Sequence, residues 1–228
     1  AGIVANDRRV AWAQLGVSVL LLFVMNFRSR FTRSVIRSAV WISPLLVLYS
    51  TVGWLSPSRV FKPVQIVRSM VTAERTDGSI DRSTLFRDVE NYNLIYTFRQ
   101  NPLFGSGFGH PFQQAAKNDD LSGFREYVYL PHNAMLGLLA FTGTLGFIGL
   151  FSVFVVALFL LFRSHRLATA LDYRIAACVA VSSIVAYVLH VWADIGFTEP
   201  HTVFLVGAAL AVAGQAATAT GAWPARDR

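Results

Sequence analysis

One histidine stands where a short polar segment meets a long apolar run, in Tyr129-Leu-Pro-His-Asn133. An imidazole titrates near neutral pH, so His132 can take a proton from an attacking hydroxyl group, which raises the rate about 10²–10⁴-fold when the ring is well placed. The alternative interpretation is that His132 and Asn133 only cap the helix that follows, since Asn is a preferred N-cap residue. Spacing alone leaves both open.

A glycine-rich segment, Pro102-Leu-Phe-Gly-Ser-Gly-Phe-Gly109, precedes this histidine. The alternating Gly105, Gly107 and Gly109 would allow backbone N–H groups to converge on an anion such as phosphate. No strand precedes the segment and no βαβ unit follows it, which excludes a dinucleotide fingerprint. A tight turn that binds nothing is the alternative.

Arginines come before the glycine segment and suit a phosphate ligand, because the guanidinium fork binds phosphate oxygens bidentately. The candidates are Arg82, Arg87 and Arg99. Each of them would otherwise form an ion pair or face water. The acids available for such pairs are Asp81, Asp88 and Glu90. Arg99 in addition falls at a helix C-terminus, where it would complement the helix dipole.

The remaining polar residues indicate no metal site. Cys178 is the single cysteine and lies in an apolar run, which excludes an intrachain disulfide and a thiolate site. The pair Asp119-Asp120 is better interpreted as a loop surface. We therefore expect no metal and no cofactor.

The composition indicates a membrane protein. Of 228 residues, 54% are hydrophobic and 14% are charged, whereas a soluble domain averages about 25% charged residues. A membrane span needs about 20 apolar residues, and several uncharged runs approach or exceed that length. They are Val10–Phe27, Ser38–Ser58, Tyr127–Phe162, Ile175–Ala193 and Pro200–Ala225. The sequence therefore predicts an all-α polytopic membrane protein with about five transmembrane helices.

The net charge of +7 is concentrated on one side of the predicted membrane. Phe27–Arg37, Arg163–Arg174 and the C-terminal tail carry the excess of arginine, so the positive-inside rule places them in the cytoplasm. The basic composition thus reflects topology, and we expect no nucleic-acid partner. The N-terminus then lies outside, which suggests that further helices precede it; no signal-peptide pattern opens the chain.

This topology divides the chain into three parts. Residues 1–58 would hold two transmembrane helices joined by an arginine-rich cytoplasmic loop, and residues 59–130 a long extracytoplasmic loop. Residues 131–228 would hold three transmembrane helices, preceded by a short helix at the His132-Asn133 motif. We expect that short helix over Pro131–Thr142, with a turn at Gly143 and Gly146 leading into a span over Leu145–Phe162.

The long loop should itself contain a helix over Asp81–Arg99, ended by Asn101-Pro102, since the residue before proline is disfavoured in α conformation. Its start would be capped by Asp81 or Ser83. Apolar residues recur at helical spacing, with charged residues elsewhere, and this pattern predicts the helix. They are Leu85, Val89, Tyr92 and Tyr96.

The order of two motifs resembles the signature of the O-antigen ligase-like family. The first is Asn101-Pro-Leu-Phe-Gly-Ser-Gly-Phe-Gly109, and the second is His132-Asn-Ala-Met-Leu-Gly-Leu-Leu-Ala-Phe-Thr-Gly143-Thr-Leu-Gly146. Members of that family carry an NPlxGxGxg turn, a long outer loop, and an HNxxLxxLxxxGxxG motif that enters a helix. The resemblance covers Arg82–Leu161.

The resemblance implies a glycosyltransferase of the bacterial inner membrane. Such enzymes pass a glycan from an undecaprenyl-diphosphate carrier, on the periplasmic face, to a hydroxyl of a lipid A core, a growing glycan or a protein, without nucleotide sugar or metal. By the same resemblance His132 is the base, and Arg87 and then Arg82 hold the diphosphate. Because Arg99 and the glycine turn share the loop with these arginines, we expect them, with Asn133, to contact substrate.

The chain departs from the family pattern at two places. An aromatic residue that often follows the arginine is Asn91 here, with Tyr92 beside it. The acid that usually precedes the closing Gly-x-x-Gly is replaced by Phe141-Thr142. We hypothesise that Glu199 or Asp194, in the short outer turn with His190 and His201, takes the place of that acid; the alternative is that both face water.

Two other function classes stay open at this point. A transporter would place ionisable or unwound elements at mid-membrane, where the sequence offers only His190. A non-catalytic scaffold of a surface-polysaccharide assembly system would tolerate the loss of His132, whereas a transferase would not.

Overall fold

A computed structural model describes residues 9–27, 29–72, 82–117, 128–194 and 196–223. Within these ranges all regular structure is helical. The helices are α1 (Arg9–Met25), α2 (Arg30–Gly53), α3 (Lys62–Thr72, after a 3₁₀ turn at Arg59–Phe61), α4 (Arg82–Gln100), α5 (Ala134–Leu167), α6 (Leu171–Ala193) and α7 (Pro200–Ala219). Helices α2, α5, α6 and α7 are long and apolar enough to cross a membrane, and α1 is a shorter apolar helix. The predicted all-α polytopic membrane protein is confirmed.

The described residues fall into two compact units. One contains residues 1–12 and 26–86, and the other contains residues 13–25 and 87–228. The second unit holds the histidine motif, the glycine segment and most of α4.

In the first unit, α2 is held to the short helical turn that follows it. The Tyr49 hydroxyl donates to the Val60 carbonyl over 2.5 Å, and the ring centroids of Tyr49 and Phe61 are 5.0 Å apart. At its other end α2 begins within the arginine-rich connection and is capped by Ser29, whose hydroxyl accepts from the Thr32 amide. The predicted loop at Phe27–Arg37 is therefore mostly helix, because arginine side chains on the end of a span can reach the polar interface from helical backbone.

In the second unit, α5, α6 and α7 pack around an alanine-rich core. Small side chains let helices approach closely, which is a common basis of helix association in lipid. The core alanines are Ala157, Ala177, Ala180, Ala209 and Ala213. A series of rings with centroids 4.4 to 6.1 Å apart links α5 to the α6–α7 turn. These rings are Phe147, Phe151, Phe154, Tyr187 and Phe197.

Helix α5 is broken at Gly143, as the sequence predicts. Gly143 has φ 64° and ψ −171°, a conformation open essentially to glycine alone. The break separates a short arm, residues 134–142, from a long arm, residues 144–167. The long arm extends about 36 Å at 1.5 Å per residue, enough to cross the roughly 30 Å hydrocarbon layer.

The glycine segment supplies the hydrogen bonds that this break removes. In an unbroken helix the amides of Thr144 and Leu145 would donate to the carbonyls of Ala140 and Phe141. Here they donate to Pro102 and Leu103, at 2.8 and 3.2 Å. The freed carbonyls of Ala140 and Phe141 accept instead from the amides of Ser106 and Gly107, at 3.0 and 2.8 Å.

Helix α4 matches its predicted extent but buries a different face. Leu85, Tyr92 and Tyr96, which gave the helical pattern, are exposed. The buried positions are Glu90, Asn93, Leu94 and Thr97. Three of these four are polar because α4 packs against irregular chain, whose backbone groups need hydrogen-bond partners. The proposed cap residue Asp81 and the Ser83 side chain lie outside the described residues.

Two side chains of this face attach the loop that follows the glycine segment. The Asn93 amide donates to the Ala116 carbonyl at 2.9 Å and its oxygen accepts from the Ala116 N–H at 2.8 Å. The Thr97 hydroxyl accepts from the Gln113 amide at 2.8 Å. Phe112, the residue before Gln113, is buried with Leu94 in a small apolar cluster.

We expect alanine at Gly105 or Gly143 to destabilise the protein. A Cβ at Gly105 would lie 2.4 Å from the Phe141 carbonyl, and one at Gly143 would lie 2.4 Å from the Leu103 carbonyl. Both glycines have positive φ, so the free energy of unfolding should fall by about 3 kcal/mol and the thermal midpoint in detergent by about 6–12 °C. Gly109→Ala is the control, since its φ is +88° but no atom lies within 4 Å, and it should cost about 1 kcal/mol. Equal losses in all three variants would contradict the described contact.

Asn93→Ala should also destabilise the protein, whereas Asn91→Ala should not. The first leaves both backbone groups of Ala116 without their partner, for a loss of about 1–3 kcal/mol. The Asn91 oxygen has no hydrogen-bond partner among the described residues, so its removal should stay within about 0.5 kcal/mol. Thermal midpoints and proteolysis within residues 113–117 measure the difference, and a matched loss in both variants would count against the Asn93 attachment.

Candidate functional site

The candidate site begins at the start of the short arm of α5. Asn133 is the N-cap: its side-chain oxygen accepts from the Leu136 amide at 3.1 Å. The helix thus begins at Ala134, three residues later than predicted, and His132 lies just before it. The capping interpretation holds for Asn133, whereas His132 lies outside the helix.

His132 is held by a buried carboxylate from α4. Its ring Nδ1 lies 3.3 Å from Glu90 Oε1, and its backbone N–H donates to Glu90 Oε2 at 3.1 Å. The Glu90 side chain is 1% exposed and the His132 side chain 22% exposed. A carboxylate at Nδ1 favours the tautomer with its proton on Nδ1, which leaves Nε2 as the proton acceptor. This is the base-and-orienting-acid arrangement found in several classes of hydrolase.

In the sequence Glu90 is recognisable only as a possible partner for an arginine, and its contact with His132 is a finding of the structure. Glu90 belongs to the row Glu90, Asn93 and Thr97, polar residues at helical spacing on one face of α4. That pattern was the available signal, since polar side chains that recur on one face of a helix with little exposure must have partners within the protein.

The hypothesis that Glu199 or Asp194 takes the place of the missing family acid stays a prediction, and the contacts described for the Glu199 carboxylate are with two histidines of the same turn. Glu199 Oε2 lies 3.0 Å from His190 Nε2 and 3.4 Å from His201 Nε2. Its carboxylate therefore connects the end of α6 to the start of α7. Asp194 ends α6, with its backbone N–H donating to the His190 carbonyl at 2.8 Å. The carboxylate seen at the His132 ring comes from Glu90 instead.

Arg87 lies on α4 one turn before Glu90. Residues 87, 91, 94 and 98 follow the i, i+4, i+7, i+11 spacing of one helix face, and Leu94 and Phe98 contact the short arm of α5 through a shared apolar cluster. Arg87 is exposed, and it lies three residues before Glu90, which forms a dyad with His132.

The other two arginines are placed differently. Arg99 is exposed in the last turn of α4, twelve residues and about 18 Å along the helix from Arg87. It is thus separated from the dyad and positioned to complement the helix dipole. Arg82 is the first residue of α4 and belongs to the other unit; its side chain lies outside the described residues.

The glycine segment uses its amides within the protein. Gly105, Ser106 and Gly107 donate to the carbonyls of Asn101, Ala140 and Phe141. These donors are therefore occupied, and the turn interpretation describes this part of the segment. Gly109 has positive φ, and its contact with substrate stays a prediction.

Two oxygens near these elements are buried without a hydrogen-bond partner among the described residues. They are Asn91 Oδ1 and Ser106 Oγ. Buried polar atoms are nearly always hydrogen-bonded in proteins, to water or ligand where not to protein. Asn91 shares the face of Arg87, so the side of α4 that presents the arginine also offers a hydrogen-bond acceptor.

Comparison with known proteins adds the family. The chain matches the family model Wzy_C, described as O-antigen ligase, over residues 1–151. No curated protein and no solved structure matches it. The matched range includes the glycine segment, all of the described part of α4 and the histidine motif, and it covers more than half of the chain. The chain therefore belongs to the O-antigen ligase family of multi-pass bacterial membrane proteins, whose members are ligases and polymerases that act on lipid-linked glycans.

Proposed function

We propose that the protein transfers a glycan from an undecaprenyl-diphosphate carrier to an acceptor hydroxyl, with His132 as the base. The observation that carries the proposal is the contact between His132 Nδ1 and the buried Glu90 carboxylate, at 3.3 Å. A histidine that only began a helix would not need a buried carboxylate, which is costly to desolvate, at its ring.

The step that we assign to the dyad is a displacement at the anomeric carbon of the donor glycan. The acceptor oxygen forms a bond to that carbon while the bond from the carbon to the diphosphate oxygen breaks. The acceptor proton moves to His132 Nε2, and Glu90 stabilises the imidazolium that results. Without this transfer the hydroxyl would have to attack in its neutral form, as a weak nucleophile.

The leaving group is the lipid diphosphate, which gains negative charge as the bond breaks. Arg87 is the side chain that we assign to this charge, because it is exposed one helical turn from Glu90. A preorganised cation aimed at developing charge is often a large part of catalysis. Arg82 is a second candidate from the family resemblance, and Arg99 with Gly109 would contact more distant parts of the donor.

We further propose a location in the inner membrane with residues 59–130 on the periplasmic side. The arginine-rich ends of the spans, at residues 27–37 and 163–174, support this sidedness by the positive-inside rule. The acceptor would be a lipid A core, a growing glycan or a protein hydroxyl, all of which offer the same nucleophile. Residues 1–58 and 131–228 would then hold the transmembrane helices around the catalytic loop.

Replacing His132 should abolish transfer without loss of the fold. In the full-length protein, His132→Ala should lower the transfer rate about 10²–10⁴-fold, since the acceptor proton loses its base. The measurement is surface glycan in a deletion strain complemented with each variant, together with transfer from purified lipid-linked donor. The control is His110→Ala, which replaces an exposed histidine between the glycine segment and His132. Normal glycan from a membrane-inserted His132→Ala protein would reject catalysis by this residue and favour the scaffold interpretation.

Glu90→Gln should lower kcat by about 10²-fold or more with little change in KM. The amide keeps the size of the side chain but offers only one oxygen to the two N–H groups of His132, so the ring loses its orienting carboxylate. Asp88→Asn, an exposed acid two residues away, should leave both constants unchanged. A Glu90→Gln protein with native kcat would show that the carboxylate has no part in the reaction.

Arg87→Ala should lower kcat/KM about 10²–10³-fold, the usual cost of losing one donor to developing charge. Arg87→Lys should recover part of that loss, because it keeps the charge but not the bidentate fork. Lys117→Ala, an exposed cation, controls for general attraction of an anionic donor. Equal losses at Arg87 and Lys117 would mean that only the net charge of the loop matters.

A further inference from the structure

The glycine segment presents large apolar side chains outward. Leu103 is 56% exposed, Phe104 69% and Phe108 70%. The nine residues from Asn101 to Gly109 include no charged residue. Exposed rings at this density are unfavourable in water, and an apolar patch of this kind indicates a surface that meets another apolar phase.

Backbone hydrogen bonds to α5 fix the position of these side chains. The carbonyls of Pro102 and Leu103 accept from Thr144 and Leu145, and the Gly107 amide donates to Phe141. Phe108 also lies with its ring centroid 5.8 Å from that of the buried Phe141. The apolar side chains are therefore held at the level where the long arm of α5 begins.

The long arm of α5 also presents exposed apolar side chains where it begins. On the long arm, directly after the break, Leu145 is 55% and Ile148 59% exposed on a helix that crosses a membrane. The Leu103 carbonyl is bonded to the Leu145 amide at 3.2 Å, so the two residues are adjacent across the junction. The apolar surface of the glycine segment continues the surface that α5 presents to acyl chains.

We propose that the segment Pro102–Gly109 is inserted into the bilayer interface, with Leu103, Phe104 and Phe108 among the acyl chains just below the headgroups. Phe and Leu are among the side chains that interfacial segments bury roughly 5–10 Å into the boundary between headgroups and acyl chains. The dyad at the far end of the nine-residue short arm would then lie within about 14 Å, along that arm, of the anchored segment. The inference needs a membrane-spanning chain and does not rest on the proposed glycosyl transfer.

Site-directed fluorescence can test this depth directly. In the full-length protein with Cys178→Ala, since Cys178 is the chain's single cysteine, Phe104→Cys or Phe108→Cys is labelled with an environment-sensitive dye in nanodiscs. The dye should be quenched several-fold more strongly by lipids that carry a spin label near the headgroup than by aqueous iodide. Gln114→Cys, at an exposed polar position after the segment, should show the reverse.

Each other outcome would overturn the proposal. Iodide quenching at 104 and 108 as strong as at 114 would place the segment in water. Protection from both quenchers would mean that another part of the protein covers it.

A second pair of substitutions removes the apolar contact itself. With the dye at Leu103→Cys, adding Phe104→Asp and Phe108→Asp should raise iodide quenching and lower lipid quenching by at least twofold, because carboxylates are excluded from acyl chains. The thermal midpoint in detergent should change little, since both rings are mostly exposed. Unchanged lipid quenching in this variant would show that the two rings do not anchor the segment.

Discussion

The break in α5 at Gly143 leaves two amides and two carbonyls that the helix can no longer pair. At the edge of a membrane span such groups must find partners within the protein, because lipid offers none. The glycine segment provides all four, in hydrogen bonds of 2.8 to 3.2 Å. Its backbone has to approach the break closely enough that a Cβ at Gly105 would overlap the Phe141 carbonyl. The backbones of the two family motifs are therefore hydrogen-bonded directly to each other, and we call this contact the junction.

The junction also explains why a buried carboxylate can be maintained nearby. The C-terminal end of α4 leads directly into the glycine segment, which is hydrogen-bonded to α5. Leu94 and Phe98 of α4 pack with Phe141 of the short arm in one apolar cluster. Glu90, one turn before Leu94, then contacts His132, which precedes the N-cap residue of the short arm. Its desolvation is offset by two N–H groups from one residue, the ring and the backbone amide of His132. A buried acid needs such partners to remain charged.

The dyad and the junction lie at opposite ends of the same nine-residue arm. A shift of the glycine segment relative to the membrane would therefore also move His132, the base of the proposed transfer. This coupling is suited to a reaction whose donor is held at a fixed depth by its own lipid chain, since orientation of the reacting groups is worth several orders of magnitude in rate. The cluster of Glu199, His190 and His201 closes the α6–α7 turn, and the ring of Phe197 in that turn packs on Tyr187 of α6.

The amino-acid sequence by itself determined the class of protein, the apolar helices, the break at Gly143, the end of α4 before Pro102 and the histidine as a candidate base. These follow from local rules: apolar length, charge position, and the backbone demands of glycine and proline. The tertiary structure alone decided which face of α4 is buried, that Glu90 contacts the His132 ring, and that the amides of Ser106 and Gly107 bind helix carbonyls. Each of these depends on residues far apart in the chain, as with Glu90 and His132. The pattern of a helix does not show which distant backbone groups its polar side chains will bind.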